Sequence, residues 1–424
     1  MLIAMVATAL FLLILGTPLY LVFLTSSLVA LIGFTNVPLT MIAQTVFDSL
    51  NSTVLLAVPY FILSGEIMSR SKMTDSLIDF FDTLIGRVPG SDGVVTVVSS
   101  AFFGAISGSA PAAVATIGKI TYPAMLKKKY SESFASALVT TAGSLAIIIP
   151  PSITMILYSS ATGVSTGRLF IAGVIPGLLL AGLLSAYVIF YASRHGLPRR
   201  EQFSWAAVGH AAKIGLPTLL MPIAVLGGIY AGIFTPTEAG VISVVYAAIA
   251  SFLTNRNFRV KDLLGAVAST TKLTAQILVI MAAAGVFSQL LTLGQIPFKI
   301  STFIQEAHVS KFVLLLMVNV IFLIAGMFID SASAIVALIP LMSPVMMASG
   351  VDMVHFGLII VLNLAIGMFT PPFGLDLFTT QALFKIKIKS IVKGIMPFLV
   401  IYLIVLLLVT YIPGLALWLP NLMY

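Results

Sequence analysis

The chain contains no cysteine among its 424 residues. That absence excludes disulfides and every metal site built on thiolates. Histidine is almost as scarce: His195, His210, His308 and His355 are the only four, and they share no spacing that would hold a metal. Charge is scarcer than a soluble surface allows. Lys, Arg, Asp and Glu make up 8% of the residues, against about 25% in a typical soluble domain. The solvent of this chain is therefore lipid.

What is present fits that solvent. Hydrophobic residues make up 59% of the chain and the mean hydropathy is +1.13. At about 20 residues per helical crossing, the length predicts roughly ten membrane spans. The formal net charge of +8 reads as the surplus of Lys and Arg that cytoplasmic loops carry, not as a nucleic-acid surface. The apolar run Leu2–Leu15 lacks a basic leader, and apolar character continues beyond it, so it reads as a retained span and not as a signal peptide.

Four of the apolar stretches are interrupted. Stretches 93–126 and 312–347 are broken by Ser107-Gly-Ser-Ala-Pro111 and Asp330-Ser-Ala-Ser333, and stretches 133–162 and 354–384 by Pro150-Pro151 and Pro371-Pro372. A proline pair removes two backbone donors and clashes with the preceding turn, so neither stretch can be one continuous helix. Backbone breaks at membrane depth survive only inside protein or beside a water-filled cavity. The breaks are also related to each other. Pro123 and Pro344, Pro150-Pro151 and Pro371-Pro372, Gly173 and Gly394, and Pro176 and Pro397 all stand 221 residues apart, and Thr17-Pro18 matches Thr235-Pro236 at 218. The chain is an internal repeat.

Charge gives the orientation of the copies. Lys127-Lys-Lys129 in the first copy corresponds to 348–353 in the second, which has no Lys or Arg; the loop with only Arg168 corresponds to one with Lys385, Lys387, Lys389 and Lys393. Basic loops change ends between copies, as inverted repeats require. With the two hairpin-like stretches taken as re-entrant, ten spans and external termini put 17 basic residues in cytoplasmic segments and three (Arg168, Lys299, Lys311) outside. The expected fold is an all-α polytopic membrane protein of two inverted repeats, each with a re-entrant helical hairpin and a helix broken at Pro-Pro. Segment 36–52, after Pro38, is expected to lie along the interface as a brace.

A helix that stops inside the bilayer exposes N–H groups at one end and carbonyls at the other, with about half a unit of charge at each. Free carbonyls suit Na+, while helix N-termini and hydroxyls suit a carboxylate. Candidate substrate ligands are therefore Ser109, Ser152, Thr154 and Ser331 beside the breaks, with Asp330 and Asp376 as intramembrane acids. Each has a plainer reading: the serines as small residues that let helices pack closely, Asp330 as a helix cap. Glu66 and Glu238 read as paired or capping groups, Lys119 and Lys272 as snorkelling side chains.

The runs Gly104-Ala-Ile-Ser-Gly-Ser-Ala-Pro-Ala-Ala113, Gly143-Ser-Leu-Ala-Ile-Ile-Ile-Pro-Pro-Ser-Ile153, Thr235-Pro-Thr-Glu-Ala-Gly240 and Gly367-Met-Phe-Thr-Pro-Pro-Phe-Gly374 resemble the large membrane (M) subunit of tripartite ATP-independent periplasmic (TRAP) transporters over essentially the whole chain. The resemblance implies a bacterial inner-membrane transporter, not an enzyme, working by an elevator mechanism. It also implies two partners, a small four-helix membrane (Q) subunit and a soluble periplasmic binding (P) protein. Carried over by motif, one Na+ would be held by backbone oxygens near Ser107, Ala146, Ile149 and Pro151, and the repeat offset places a second near Gly326, Gly367, Thr370 and Pro372. At Ala146 the family pattern often has Gly, and the added methyl tightens that turn. The implied division is scaffold and arm over 1–92, a transport half over 93–168, inter-repeat and scaffold helices over 169–311, a second transport half over 312–390 and a C-terminal helix over 391–424.

Coupling energetics favour at least two ions. With a potential of ~100 mV and a tenfold gradient, each entering Na+ supplies about 3.7 kcal/mol and a monoanion costs about 2.3. The cargo is expected to be a C4-dicarboxylate, sialic acid or another sugar acid, with sialic acid the leading guess. The alternatives are a stand-alone Na+/dicarboxylate symporter, a channel, and an intramembrane protease. The last lacks His-Glu-x-x-His and a paired intramembrane Asp motif.

Overall fold

The computed structural model describes residues 1–71, 73–198, 204–255 and 257–424. Four of the basic residues counted as cytoplasmic, Lys72, Arg199, Arg200 and Arg256, lie outside the described residues. Among the described residues every regular element is helical.

Helices α1 (Leu2–Ile14), α2 (Leu19–Phe34), α3 (Thr40–Leu50), α4 (Ala57–Arg70) and α5 (Met73–Ile85) precede a first helical hairpin, α6 (Ser91–Ser107) and α7 (Ala110–Lys127). The first broken helix follows as α8 (Glu132–Gly143), a 3-10 turn over Ser144–Ile147, and α9 (Ile153–Thr162). Long helices α10 (Thr166–Arg194) and α11 (Trp205–Tyr230) lead into the second copy. There α12 (Pro236–Thr254), α13 (Val260–Leu293) and α14 (Ile296–Glu306) precede the hairpin α15 (Lys311–Phe328) and α16 (Ser331–Ala348). The second broken helix is α17 (Met353–Phe369) and α18 (Leu375–Phe384), and the chain ends in α19 (Ile388–Tyr411) and α20 (Gly414–Met423). The segment expected as one C-terminal helix is thus two, which meet at Pro413.

Among the described residues eight helical stretches, counting the 3-10 turn Thr53–Leu56 together with α4, are long and apolar enough to cross a membrane. Helix α1 has only 13 residues, so it crosses a full bilayer core only where the bilayer thins. The segment expected to brace holds α3, none of whose residues is fully buried, and α3 packs along α13.

The 221-residue repeat is visible in the helix boundaries. Helices α7 and α16 start and end 221 residues apart, and so do the starts of α8 and α17. Both proline pairs fall at the breaks, and both are cis. Each break is closed by local chemistry. In the first copy, Ser152 caps α9 by accepting from the Met155 N–H while its own hydroxyl donates to the Ile147 carbonyl at 2.6 Å. In the second, Gly374 makes the turn, where a Cβ would stand 2.6 Å from the Met368 carbonyl oxygen.

The copies run in opposite directions. Helix α8 lies parallel to α19, with the Ser133 hydroxyl on the Ser390 carbonyl and the Tyr402 hydroxyl on the Thr141 carbonyl. Helix α17 lies antiparallel to α19, with His355 Nε2–H donating to the Val409 carbonyl at one end and the Phe369 and Tyr402 rings 4.8 Å apart at the other. Packing across the copies is reciprocal: α16 lies on α9 as α7 lies on α18, and α17 on α9 as α8 on α18. Apolar burial gives little drive for helix association when lipid is equally apolar, so close approach of small residues matters more. Two such approaches hold the hairpins to the broken helices. A Cβ on Gly104 would stand 2.5 Å from the Ala146 Cα, and one on Gly367 would stand 2.5 Å from the Gly326 Cα.

Candidate functional site between the hairpin tips

The two tips are shorter than the polar runs in the sequence. At the first, α6 ends at Ser107, Gly108 takes a left-handed φ of 59°, and Ser109 is the N-cap of α7. A Cβ at Gly108 would press within 3.0 Å of the Pro151 carbonyl oxygen and the Ile153 nitrogen, so glycine is needed both for its φ and for the contact with the first break. At the second tip only Ile329 and Asp330 are non-helical, and Ser331–Ser333 already form the first turn of α16.

Each tip sits against the break of its own copy. Gly108 meets the Pro151–Ile153 segment, and Gly326 meets Gly367. The Phe373 N–H donates to the Met327 carbonyl at 3.1 Å. Of the eight residues carried over as cation ligands, Ala146, Pro151, Gly326 and Gly367 make hairpin–break contacts. Of the other four, Ser107 and Pro372 directly precede the contacting Gly108 and Phe373, and Ile149 and Thr370 stand within three residues of Pro151 and Gly367 in sequence. Among the described residues no hydrogen bond reaches the carbonyl oxygens of Ser107, Ile149 and Pro151, or of Gly326, Thr370 and Pro372. A helix C-terminus buried without partners for its carbonyls is a costly arrangement unless something else satisfies them. A hard monovalent cation coordinated by oxygen is such a partner. The donor chemistry fits Na+ better at the first junction, where Ser107 and Pro151 are buried, than at the second, where Pro372 is exposed and the Gly367 carbonyl is already engaged by the Thr370 N–H.

The substrate candidates divide into two groups. Ser109, Thr154, Asp330 and Ser331 line one cavity of about 1390 Å³. The two copies touch there, with the Thr154 hydroxyl donating to Ser331 Oγ at 3.2 Å. Asp330 is the side-chain cap of α16: Oδ1 accepts from the Ser333 N–H at 2.8 Å and Oδ2 from its hydroxyl at 2.6 Å. Its capping role and its place on the cavity wall are both real.

Ser152 and Asp376 lie elsewhere. Ser152 is fully buried and committed to the break. Asp376 is also fully buried, behind the cavity, and joins the copies by accepting the Ser144 hydroxyl at 2.7 Å. Its Oδ1 has no partner among the described residues. One turn before Ser144 and one turn after Asp376, Thr140 of α8 and Thr380 of α18 share a further cross-copy hydrogen bond of 2.8 Å.

Three features of the cavity were not legible as site residues. Gly65 of α4 faces the first tip so closely that a Cβ would meet Ser107 Cβ at 2.8 Å. Gln276 of α13 lines the wall. Lys119, read from sequence as a snorkelling side chain, is on the same wall and exposed to it. Lys272 is not among the lining residues. Glu66 pairs with Arg70 at 3.2 Å, and Glu238 completes a capping box with Thr235 at the start of α12, so both acids have the paired or capping roles expected of them.

Comparison with known proteins converges on one family. The model of the tripartite ATP-independent periplasmic transporter, DctM component, matches residues 6–415. The C4-dicarboxylate TRAP transporter large permease protein DctM of Pseudomonas aeruginosa is 39% identical over 384 residues, 90% of this chain and 89% of that protein. The ectoine TRAP transporter large permease protein TeaC of Halomonas elongata is 36% identical, with 99% of each chain covered. The isethionate TRAP transporter permease protein DctMQ of Oleidesulfovibrio alaskensis is 35% identical over 96% of this chain, which spans 64% of that longer protein. Among solved structures, the YdaH transporter of Alcanivorax borkumensis superposes with a TM-score of 0.67 over 93% of this chain and 97% of that one, at 16% sequence identity. At that identity the likeness is one of fold.

Proposed function

This chain belongs to the DctM component family of tripartite ATP-independent periplasmic transporters, which are permeases and not enzymes, and from that membership we propose that it is the large membrane subunit of a Na+-coupled importer of a small organic acid. A periplasmic binding protein delivers the acid, and a small membrane subunit completes the complex. The DctMQ name of the longer isethionate relative fits a chain that works with such a second membrane component.

The observation that carries the reading is the pair of tip–break junctions, where the carbonyls of Ser107, Ile149, Pro151, Gly326, Thr370 and Pro372 have no hydrogen-bond partner among the described residues, flanking a cavity lined by Ser109, Thr154, Asp330 and Ser331. Na+ would occupy the junctions through Ser107, Ala146, Ile149 and Pro151 on one side and Gly326, Gly367, Thr370 and Pro372 on the other. The carboxylate of the cargo would meet the hydroxyls between them. Asp376 would act behind this pocket, as the strut that keeps the two broken helices in register.

The two hairpins and broken helices (93–168 and 312–390) form the moving body, and α2, α4, α11, α12 and α13 belong to the scaffold past which it slides. The cavity runs from the tips to Arg70 and Lys119, towards the end carrying the basic loops. With those loops cytoplasmic, both termini are periplasmic and this conformation faces inward. Relatives are named for C4-dicarboxylate, ectoine and isethionate; none of these names points to sialic acid, and the cargo proposed is a small organic acid of that general range.

Reconstitution of the complete complex in proteoliposomes tests the proposal, with C4-dicarboxylates and isethionate as trial cargo. Uptake should require an inward Na+ gradient and added binding protein, with more than one Na+ per anion. Uptake driven equally by K+ would overturn Na+ coupling. Uptake without binding protein would favour the stand-alone symporter.

A further inference from the structure

Lys119 occupies a position that lipid-facing lysines do not. It is the tenth residue of the 18-residue helix α7, about 14 Å along the helix from its tip end at 1.5 Å per residue. It is exposed on the wall of the same cavity that holds the tip residues. It is in neither the Arg70–Glu66 nor the Lys128–Asp92 ion pair. A cation in an apolar helix that lines a cavity without a carboxylate partner is a candidate for binding an anion.

Its surroundings are built, not loose. One turn nearer the tip, Thr116 Oγ1 and Ser69 Oγ of α4 lie 3.1 Å apart and join α7 to the facing helix. Arg70 beside them is held by Glu66 and donates to Ser269 Oγ of α13 at 2.8 Å. The guanidinium lies where Gly265 leaves room for it, since a Cβ there would meet Nη1 at 2.7 Å. Glu66 offsets the charge of Arg70, so among the described residues lining the cavity Lys119 is the cation without a carboxylate partner. Asp330 puts the opposite charge at the tip end of the cavity.

We propose that Lys119, with the hydroxyls of Thr116 and Ser69, forms a second organic-anion subsite in this limb of the cavity, which receives the carried acid after it leaves the hairpin tips. The subsite rests on the transport reading above and adds a stage to it. The cavity wall also carries apolar side chains such as Ile62, Leu157, Leu273 and Ile277, which offer a carboxylate no charge complement. The ammonium supplies the charge complement there, and the hydroxyls supply hydrogen bonds without fixing one cargo shape.

The natural absence of cysteine provides the test. Ala115, one turn from Lys119 and also on the cavity wall, is replaced by cysteine (Ala115→Cys) in the assembled complex in membrane vesicles. Its modification by a sulfonate-bearing methanethiosulfonate is compared with that by a trimethylammonium one. The sulfonate reagent is itself a small organic anion. It should react faster than the cationic reagent, and its rate should saturate with concentration. Lys119→Met should lower the anion-to-cation rate ratio about fivefold, the effect of removing one nearby charge in a partly aqueous site, and Lys119→Arg should restore it.

A ratio unchanged by Lys119→Met, or an introduced thiol that neither reagent reaches, overturns the subsite. Restoration by Arg separates lost charge from a helix merely disturbed. Failure of the complex to take up any acid would strike the transport reading and leave this ratio standing, so the two ideas fail separately.

Discussion

The two hairpins are built to one plan and placed in unlike surroundings. Helix α6 buries 14 of its 17 residues among α4, α5, α8 and α10. Helix α15 buries six of 18 and exposes Phe312, Leu316, Val320, Ile324 and Phe328 along its length. The tips differ in the same sense. The first relies on Gly108 and on Ser109, whose side chain caps nothing, while the second is locked by both oxygens of Asp330. The enclosed hairpin takes its rigidity from its neighbours, and the exposed one carries its own.

The close approaches offer the strongest way to break this correspondence. At Gly367 an added Cβ meets only backbone of Gly326, so no side chain can yield. Gly367→Val should remove most folded protein, since overpacking of this kind costs about 1–3 kcal/mol or more and the facing residue is already glycine. At Gly104 the obstacle includes the Ala146 methyl at 2.9 Å. Gly104→Ala should therefore destabilise strongly and recover in part when combined with Ala146→Gly. Thermal unfolding of the detergent-solubilised complex would measure both; full rescue at Gly104, or tolerance at Gly367, would show that the junctions are looser than described.

Next in size is the link between the copies. Ser144→Ala would take from the buried Asp376 carboxyl the hydrogen bond it accepts across the copies, a loss of about 1–3 kcal/mol. Asp376→Asn keeps a group that can accept the Ser144 hydroxyl and should cost less. The reverse order, seen in the same unfolding assay, would mean that charge at this position matters more than the bond. The third comparison is between the caps. Asp330→Ala should cost about 0.5–2 kcal/mol as a lost N-cap, and Ser109→Ala much less, because its hydroxyl caps nothing. Asp330→Asn retains the cap, so a loss of uptake in that variant with stability intact would assign the carboxylate to cargo or cation.

These pairs mark what could be read from the residues alone. Proline pairs break helices wherever they occur, and the 221-residue spacing is a property of the chain, so the hairpins, the breaks and their inverted arrangement were legible. Lateral packing was not. Nothing in the local sequence says that Ser144 meets Asp376, that Gly65 faces Ser107, or that Lys119 turns to the cavity and not to lipid. Those depend on which helices the two-fold arrangement brings side by side. Asp376 stands out in the sequence as an acid in an apolar run, which suggests a substrate ligand; in the fold it is off the cavity wall and its partner is Ser144 of the other copy. The tips were read as longer than they are because Ser, Ala and Pro suit a first helical turn as well as a loop.

The smallest expected effect lies at the feet of the hairpins, where the halves also part. The second foot is closed by Lys311 donating to the Gly350 carbonyl at 2.9 Å. The first is closed by Lys128 on Asp92 at 3.0 Å, beside a smaller cavity that also takes in Asp79 and Asp82. Asp79 is on α5, which is not among the apolar spans. Partial burial, and then repulsion from Asp82, raise its pKa above the ordinary 3.8. A carboxyl whose pKa is raised by folding favours the folded state only while it is protonated there. That contribution is complete below the ordinary value and disappears as pH rises through the raised one. At neutral pH the ionised Asp79 therefore works against the fold, and Asp79→Asn should raise the unfolding temperature slightly. The gain should shrink as pH falls through the raised value and vanish below about 3.8. Lys311→Met at the other foot removes a hydrogen bond and no buried acid, so its effect should be a loss, nearly flat over the same acidic range. Matching pH profiles for the two variants would mean that the acidic foot of the first hairpin has no electrostatic character of its own.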